Sequence, residues 1–199
     1  SEGIACDYHR CGRFHAAHTP AHFDALVRDT QMLGREEGVP FEVVSRDDQH
    51  AEIGTDAYFG GVVLKQHASV DPAKYYSGVL NLAKKTGVAV TDNCPALDIR
   101  REGKAFVVST PKGDIRAEKI VIATNGYTTS LVPWLQRRVI PIGTYMIATD
   151  PLPKALIDKL FPTDRVASDT CKVIYYYRPS PDRSRILFGG RVSAAETNP

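Results

Sequence analysis

The stretch IVIATNGYT, residues 120–128, decides how the rest of the chain is read. Its first four residues are apolar and three are β-branched, which predicts a strand buried on both faces, as in a parallel sheet. Ala123, Thr124, Asn125 and Gly126 follow as small residues ending in an Asn-Gly turn. At the carboxyl end of such a strand they leave backbone free to approach a ligand.

Upstream, GVAVTD, ALDIRRE, KAFVVSTP and RAEKIVIATN alternate with a period near two and read as four strands, with Lys112-Gly113-Asp114 as the hairpin turn between the last two. Before them the period is near 3.6. Asp71-Pro72 is a cap-and-proline start for a helix that Gly87 closes, with Tyr76, Val79, Leu80 and Ala83 as its apolar stripe. YFGGVVLKQHASV reads as one strand or two, its glycine pair leaving room for close backbone approach. Ser45 and Asp48 resemble a capping box for a short helix to about Ile53, after the extended piece Phe41-Glu42-Val43-Val44. Thr19-Pro20 opens a helix that Gly38 ends.

Downstream, YTTSLVPWLQRR reads as a short helix or turn and VIPIGTYMIATD as a long strand. PKALIDKLF is helical, and CKVIYYYRP and SRILFGGRV form a hairpin around Ser180-Pro181-Asp182. The fold class expected is α+β (mixed α/β).

The 25 basic and 23 acidic residues are well mixed, so the net charge of +2 gives no field for nucleic acid or an anionic membrane. No apolar run approaches the ~20 residues of a membrane span, and the first ten residues lack the pattern of a secretory leader. A cytoplasmic location is expected. Cys6, Cys11, Cys94 and Cys171 suit reduced thiols better than a disulfide framework, with a Cys6–Cys11 bridge left open. Cys6, His9, Cys11, His15, His18 and His22 match no zinc framework in their spacing, and no metal is expected.

In order and wording these segments resemble the FAD-dependent oxidases of the D-amino-acid oxidase, glycine oxidase and sarcosine oxidase superfamily, closest to its gamma-glutamylputrescine oxidase branch. The resemblance rests on GVVLKQHASVDPAKYYSGVLNLAKKTGVAV, on GDIRAEKIVIATNGYTTSLVPWLQRRVIPIGTYMIATDPL and on YYYRPSPDRSRILFGGRVS. It implies a mixed substrate-binding sheet with flanking helices over 1–70 and 127–199, and part of a Rossmann-like FAD-binding region over 71–126. The superfamily's opening G-x-G-x-x-G turn, which grips the FAD pyrophosphate, has no counterpart in these residues, and its closing segment is not found after FGGRVS. The expectation is an internal fragment, inactive and without FAD by itself, of a longer FAD-containing enzyme.

By the same resemblance Ala96 joins Ala123–Gly126 on the cofactor side, and His67, Tyr145, Tyr175, Tyr177 and Arg191 are substrate-side candidates. Alternation sets Tyr175 and Tyr177 on one face and Tyr176 on the other. The resemblance implies oxidation of a small amine or amino acid to imine and aldehyde with release of hydrogen peroxide. No catalytic dyad is required, because the flavin carries the chemistry. The rivals are a dehydrogenase of the same superfamily with another electron acceptor and a non-catalytic binding module. The amine and the oligomeric state are not legible.

Overall fold

A computed structural model describes residues 2–193 of the chain, with side chains up to residue 190. It divides into two compact units, one of Ser1–Leu80 with Thr144–Val192 and a second built on Asn81–Gly143.

The first unit carries seven strands: β1 (Arg13–Ala16), β2 (Phe41–Val44), β3 (Gly61–Leu64), β7 (Gly143–Ala148), β8 (Val166–Asp169), β9 (Tyr175–Pro179) and β10 (Ile186–Ser193). Their order is β2-β3-β1-β8-β9-β10-β7. The sheet is mixed, because β1 runs parallel to β8 and antiparallel to β3. One row of side chains crosses it through paired positions Val63, Phe14, Ala167, Tyr177 and Phe188. The first four of these are core residues, packed with Ala16, Val44, Ile53, Tyr58 and Phe161. The opposite row is Val62, His15, Ser168, Tyr176 and Gly189.

Two helices of this sequence start as their local chemistry dictates. In α1 (Pro20–Glu37) the Thr19 hydroxyl accepts from the His22 amide at 3.1 Å, and Gly38 closes the helix at φ 67°. In α2 (Pro72–Lys85) Asp71 Oδ1 accepts from the amides of Ala73 and Lys74. Helix α1 packs on β3 and β2. The apolar stripe of α2 is not buried: Tyr76 is 68% exposed, and no residue of the helix is fully covered. The Gly60-Gly61 pair makes the close approach its sequence suggests, since a Cβ on Gly61 would stand 2.3 Å from the His15 carbonyl oxygen.

The second unit holds the antiparallel sheet β4-β5-β6 (Asp98–Glu102, Ala105–Thr110, Gly113–Ala117) and the short helix α3 (Pro133–Gln136). The β5–β6 turn closes at Pro111-Lys112, with Gly113 already paired to Thr110 at φ 122°, a backbone that favours glycine.

Several expectations are corrected. Residues 120–123 do not form a buried strand, and Val121 is 87% exposed. An apolar run is buried on both faces only when strands flank it and layers cover it, and among the described residues no strand lies beside 120–123. GVAVTD is likewise unpaired, with Val88 and Val90 exposed. The helix expected from Ser45 is only a 3-10 turn, Gln49–Ala51, although Ser45 and Asp48 do hydrogen-bond reciprocally. The strand expected over 139–150 is confined to β7.

β1 and β8 were not expected at all. Helix α4 (Lys154–Leu160) and the β9–β10 hairpin stand where the sequence puts them.

Candidate functional site

The sheet face opposite the core is where side chains converge. A groove of ≈ 340 Å³ opens there, bounded by Arg13, Met146, Ser168, Ile174, Tyr176 and Arg178. β1 supplies Arg13, β8 supplies Ser168, β9 supplies Tyr176 and Arg178, and β7 supplies Met146. β10 contributes bare backbone at Gly189, paired to Tyr176. A Cβ on Gly189 would lie 2.2 Å from the Tyr176 ring, so the glycine is what lets that ring lie across the strand.

Arg13 is half-buried and its Nε donates to Ser168 Oγ at 2.8 Å. Burial lowers its pKa. His15 shares an edge with the Asp169 carbonyl at 3.2 Å, and desolvation first, then the Arg13 charge, push its pKa below the ordinary imidazole value. His67 is lowered by the same two causes in the same order. Both imidazoles are therefore biased to the neutral form.

Of the residues singled out from sequence, Tyr177 sits at the floor of the groove but belongs to the core. Its hydroxyl donates to Tyr58 at 2.8 Å, and its ring stacks on Phe188. Burial and the Tyr58 contact raise its pKa. Tyr175 stands on the same face as Tyr177, against Phe188 and 41% exposed. Tyr145 is 44% exposed on β7, while its neighbour Met146 meets the groove. His67 is exposed beside Arg13. The side chain of Arg191 lies outside the described residues, although its backbone is in β10.

Arg13, Ser168 and Tyr176 were missed as site residues, and Arg178, beside the Pro179-Ser180-Pro181 turn, reads from sequence as a solvated strand-end arginine. The signal in the sequence was the alternation Y-x-R in YYR, which places Tyr176 and Arg178 on one strand face, whereas RFHA and VASD are too short to announce a strand by themselves.

The cofactor-side candidates lie in the second unit. Ala96 is exposed in the loop before β4, and Ala123, Thr124 and Asn125 are exposed. Asn125–Tyr127 forms a 3-10 turn with Asn125 at φ 48°, and the Thr124 and Thr128 hydroxyls are 2.7 Å apart. A Cβ on Gly126 would meet nothing within 4 Å. The residues here offer open backbone and small side chains.

Among the described residues no group of three or more His, Cys, Asp or Glu stands close enough to hold a metal ion. All four cysteines are free. Among the described residues no helix is long and apolar enough to cross a membrane.

A family model described as "FAD dependent oxidoreductase" matches residues 1–199. The chain is 30% identical over 183 residues to "Probable oxidoreductase OrdL" of Rhizobium meliloti, covering 89% of this chain and 42% of that protein. It is 27% identical over 197 residues to "Gamma-glutamylputrescine oxidoreductase" of Escherichia coli, covering 98% and 46%. In structure it is similar to glycine oxidase from Geobacillus kaustophilus, with a TM-score of 0.75 at 19% identity, covering 96% of this chain and 52% of that one. The chain thus spans about half the length of the curated relatives it matches.

Proposed function

The chain belongs to the FAD-dependent oxidoreductase family, and from that premise we propose that the protein of which it forms part oxidises a small amine or amino acid. The observation that carries this reading is the family match over the whole of residues 1–199. The names of relatives, an oxidoreductase of gamma-glutamylputrescine among them, support an amine as the oxidised group.

In this reading residues 71–126 belong to the cofactor side and 1–70 with 127–199 to the substrate side. FAD supplies the two-electron acceptor. Overall, amine, oxygen and water give aldehyde, ammonia and hydrogen peroxide. The chain's own contribution is the groove: Tyr176, Met146 and Ile174 exclude water, and the arginines orient what enters. The neutral bias of His15 and His67 keeps positive charge from adding to that of the arginines.

The reading is tested by supplying the full-length protein with FAD and a panel of primary and secondary amines under air. Peroxide and aldehyde in equal amounts are expected. Aldehyde without peroxide, appearing only with a quinone or dye, would assign the electrons to another acceptor; no turnover of any amine with any acceptor would refute the proposal.

A further inference from the structure

Of the chain's asparagines, Asn125 alone is followed by glycine. It is exposed, holds φ 48° and opens the 3-10 turn Asn125–Tyr127. Backbone and threonines close that turn. The Tyr127 amide donates to the Thr124 carbonyl at 2.9 Å, and the Thr128 amide and hydroxyl both donate to the Asn125 carbonyl. Among the described residues no hydrogen bond holds the Asn125 carboxamide or the Gly126 amide. An electrophilic carbon and the nitrogen that can attack it are neighbours in the chain, and neither is engaged.

The fold does not ask for a glycine at 126. A Cβ there would meet nothing within 4 Å, and Gly126 is not among the glycines with positive φ. What the missing side chain does is leave the amide nitrogen unhindered. Asn93 supplies the contrast within the same unit. It too is exposed and left-handed, at φ 47°, but Cys94 follows it, and a side chain on the attacking residue obstructs ring closure.

We infer that Asn125-Gly126 is a self-modification site whose rate is governed by FAD. The Gly126 nitrogen bonds to Asn125 Cγ, the Cγ–Nδ2 bond breaks, and ammonia leaves with the proton that the Gly126 amide gives up. Water then opens the cyclic imide to aspartate or isoaspartate, with no oxidant or reductant involved. The inference rests on reading residues 71–126 as the cofactor side, where the small residues 123–126 leave backbone open to a diphosphate-bearing cofactor. With the cofactor against it the turn is shielded and held; without it the ring closes. The carboxylate so formed sets like charge against a diphosphate, which weakens later uptake of FAD.

The test is to hold the full-length protein, stripped of FAD or loaded with it, at mildly alkaline pH and to weigh its peptides after digestion. In the stripped protein Asn125 becomes an acid while Asn93 stays an amide, and the conversion quickens with pH because the attacking nitrogen must lose its proton. FAD at about 100 times its Kd slows the conversion roughly tenfold or more. Gly126→Ala, which the open space admits, slows it without FAD. Asn125→Asp takes up FAD roughly tenfold more weakly, and wild type aged without FAD loses affinity in step with its converted fraction. Conversion at Asn125 no faster than at Asn93, or unaltered by Gly126→Ala, would overturn the inference. Equal conversion with and without FAD, in a protein that is yellow and oxidises amines, would overturn the cofactor's part in it and leave the oxidase reading standing. Conversion at Asn125 in a protein that takes up no FAD would keep the turn's chemistry and sink the oxidase reading instead.

Discussion

Gly189 matters because of what lies across it. With the Tyr176 ring 2.2 Å from where a Cβ would stand, Gly189→Ala must move either the ring or the strand. Overpacking of that kind costs ~1–3 kcal/mol, and we expect a lower melting temperature together with a raised KM, since Tyr176 lines the groove. On the opposite face, Tyr177→Phe removes the proton that Tyr58 accepts. Leaving a nearly buried hydroxyl without its partner costs about 1–3 kcal/mol, read by thermal unfolding. The folded-state pKa of Tyr177 is raised, so its contribution is complete below the ordinary tyrosine value near 10 and is lost as pH rises above it. Tyr177→Phe should flatten that alkaline decline; a variant that declines as steeply as wild type would contradict the assignment. At this scale the sequence spoke of tyrosine alternation and got the faces right, but it could not say which face was core. That depends on Phe14 and Ala167, which reach Tyr177 through pairings remote in sequence.

Short elements carry the sheet. β1 and β8 are four residues each and pair in parallel across about three quarters of the chain's length, so no local pattern announces them; RFHA and VASD become strands only because each has neighbours on both sides. Elements with their own caps were legible. Thr19 and Gly38, Asp71, and the Ser180–Arg185 turn each satisfy backbone groups locally. In that turn the Ser180 and Ser184 hydroxyls and the Ser184 amide hold the Asp182 carboxyl down to about 2. The folded-state pKa is lowered, so the stabilisation is present above the ordinary value of 3.8 and is lost as pH falls toward 2. Asp182→Asn should loosen the β9–β10 hairpin at neutral pH and remove that acid-side loss, measured by amide exchange in β9 from pH 2 to 6. An unchanged profile would argue that the turn is held by Ser180 alone.

For the molecule, the exposed apolar run 120–123 and the uncovered stripe of α2 separate what pattern can tell from what burial requires. Periodicity located residues that want covering; covering itself comes from neighbouring layers, which for 120–123 are not among the described residues. The mixed α+β class was readable because the sheet, the helices and their caps agree with one another. The groove was not, because its four polar and aromatic residues come from three strands, two of them silent in the sequence. The family match over residues 1–199 then makes one demand of the whole protein. Purified at full length, it should carry flavin absorption bands at about 370 and about 450 nm, and anaerobic mixing with an oxidisable amine should bleach the second band. A full-length protein that stays colourless and takes up no FAD would contradict the account.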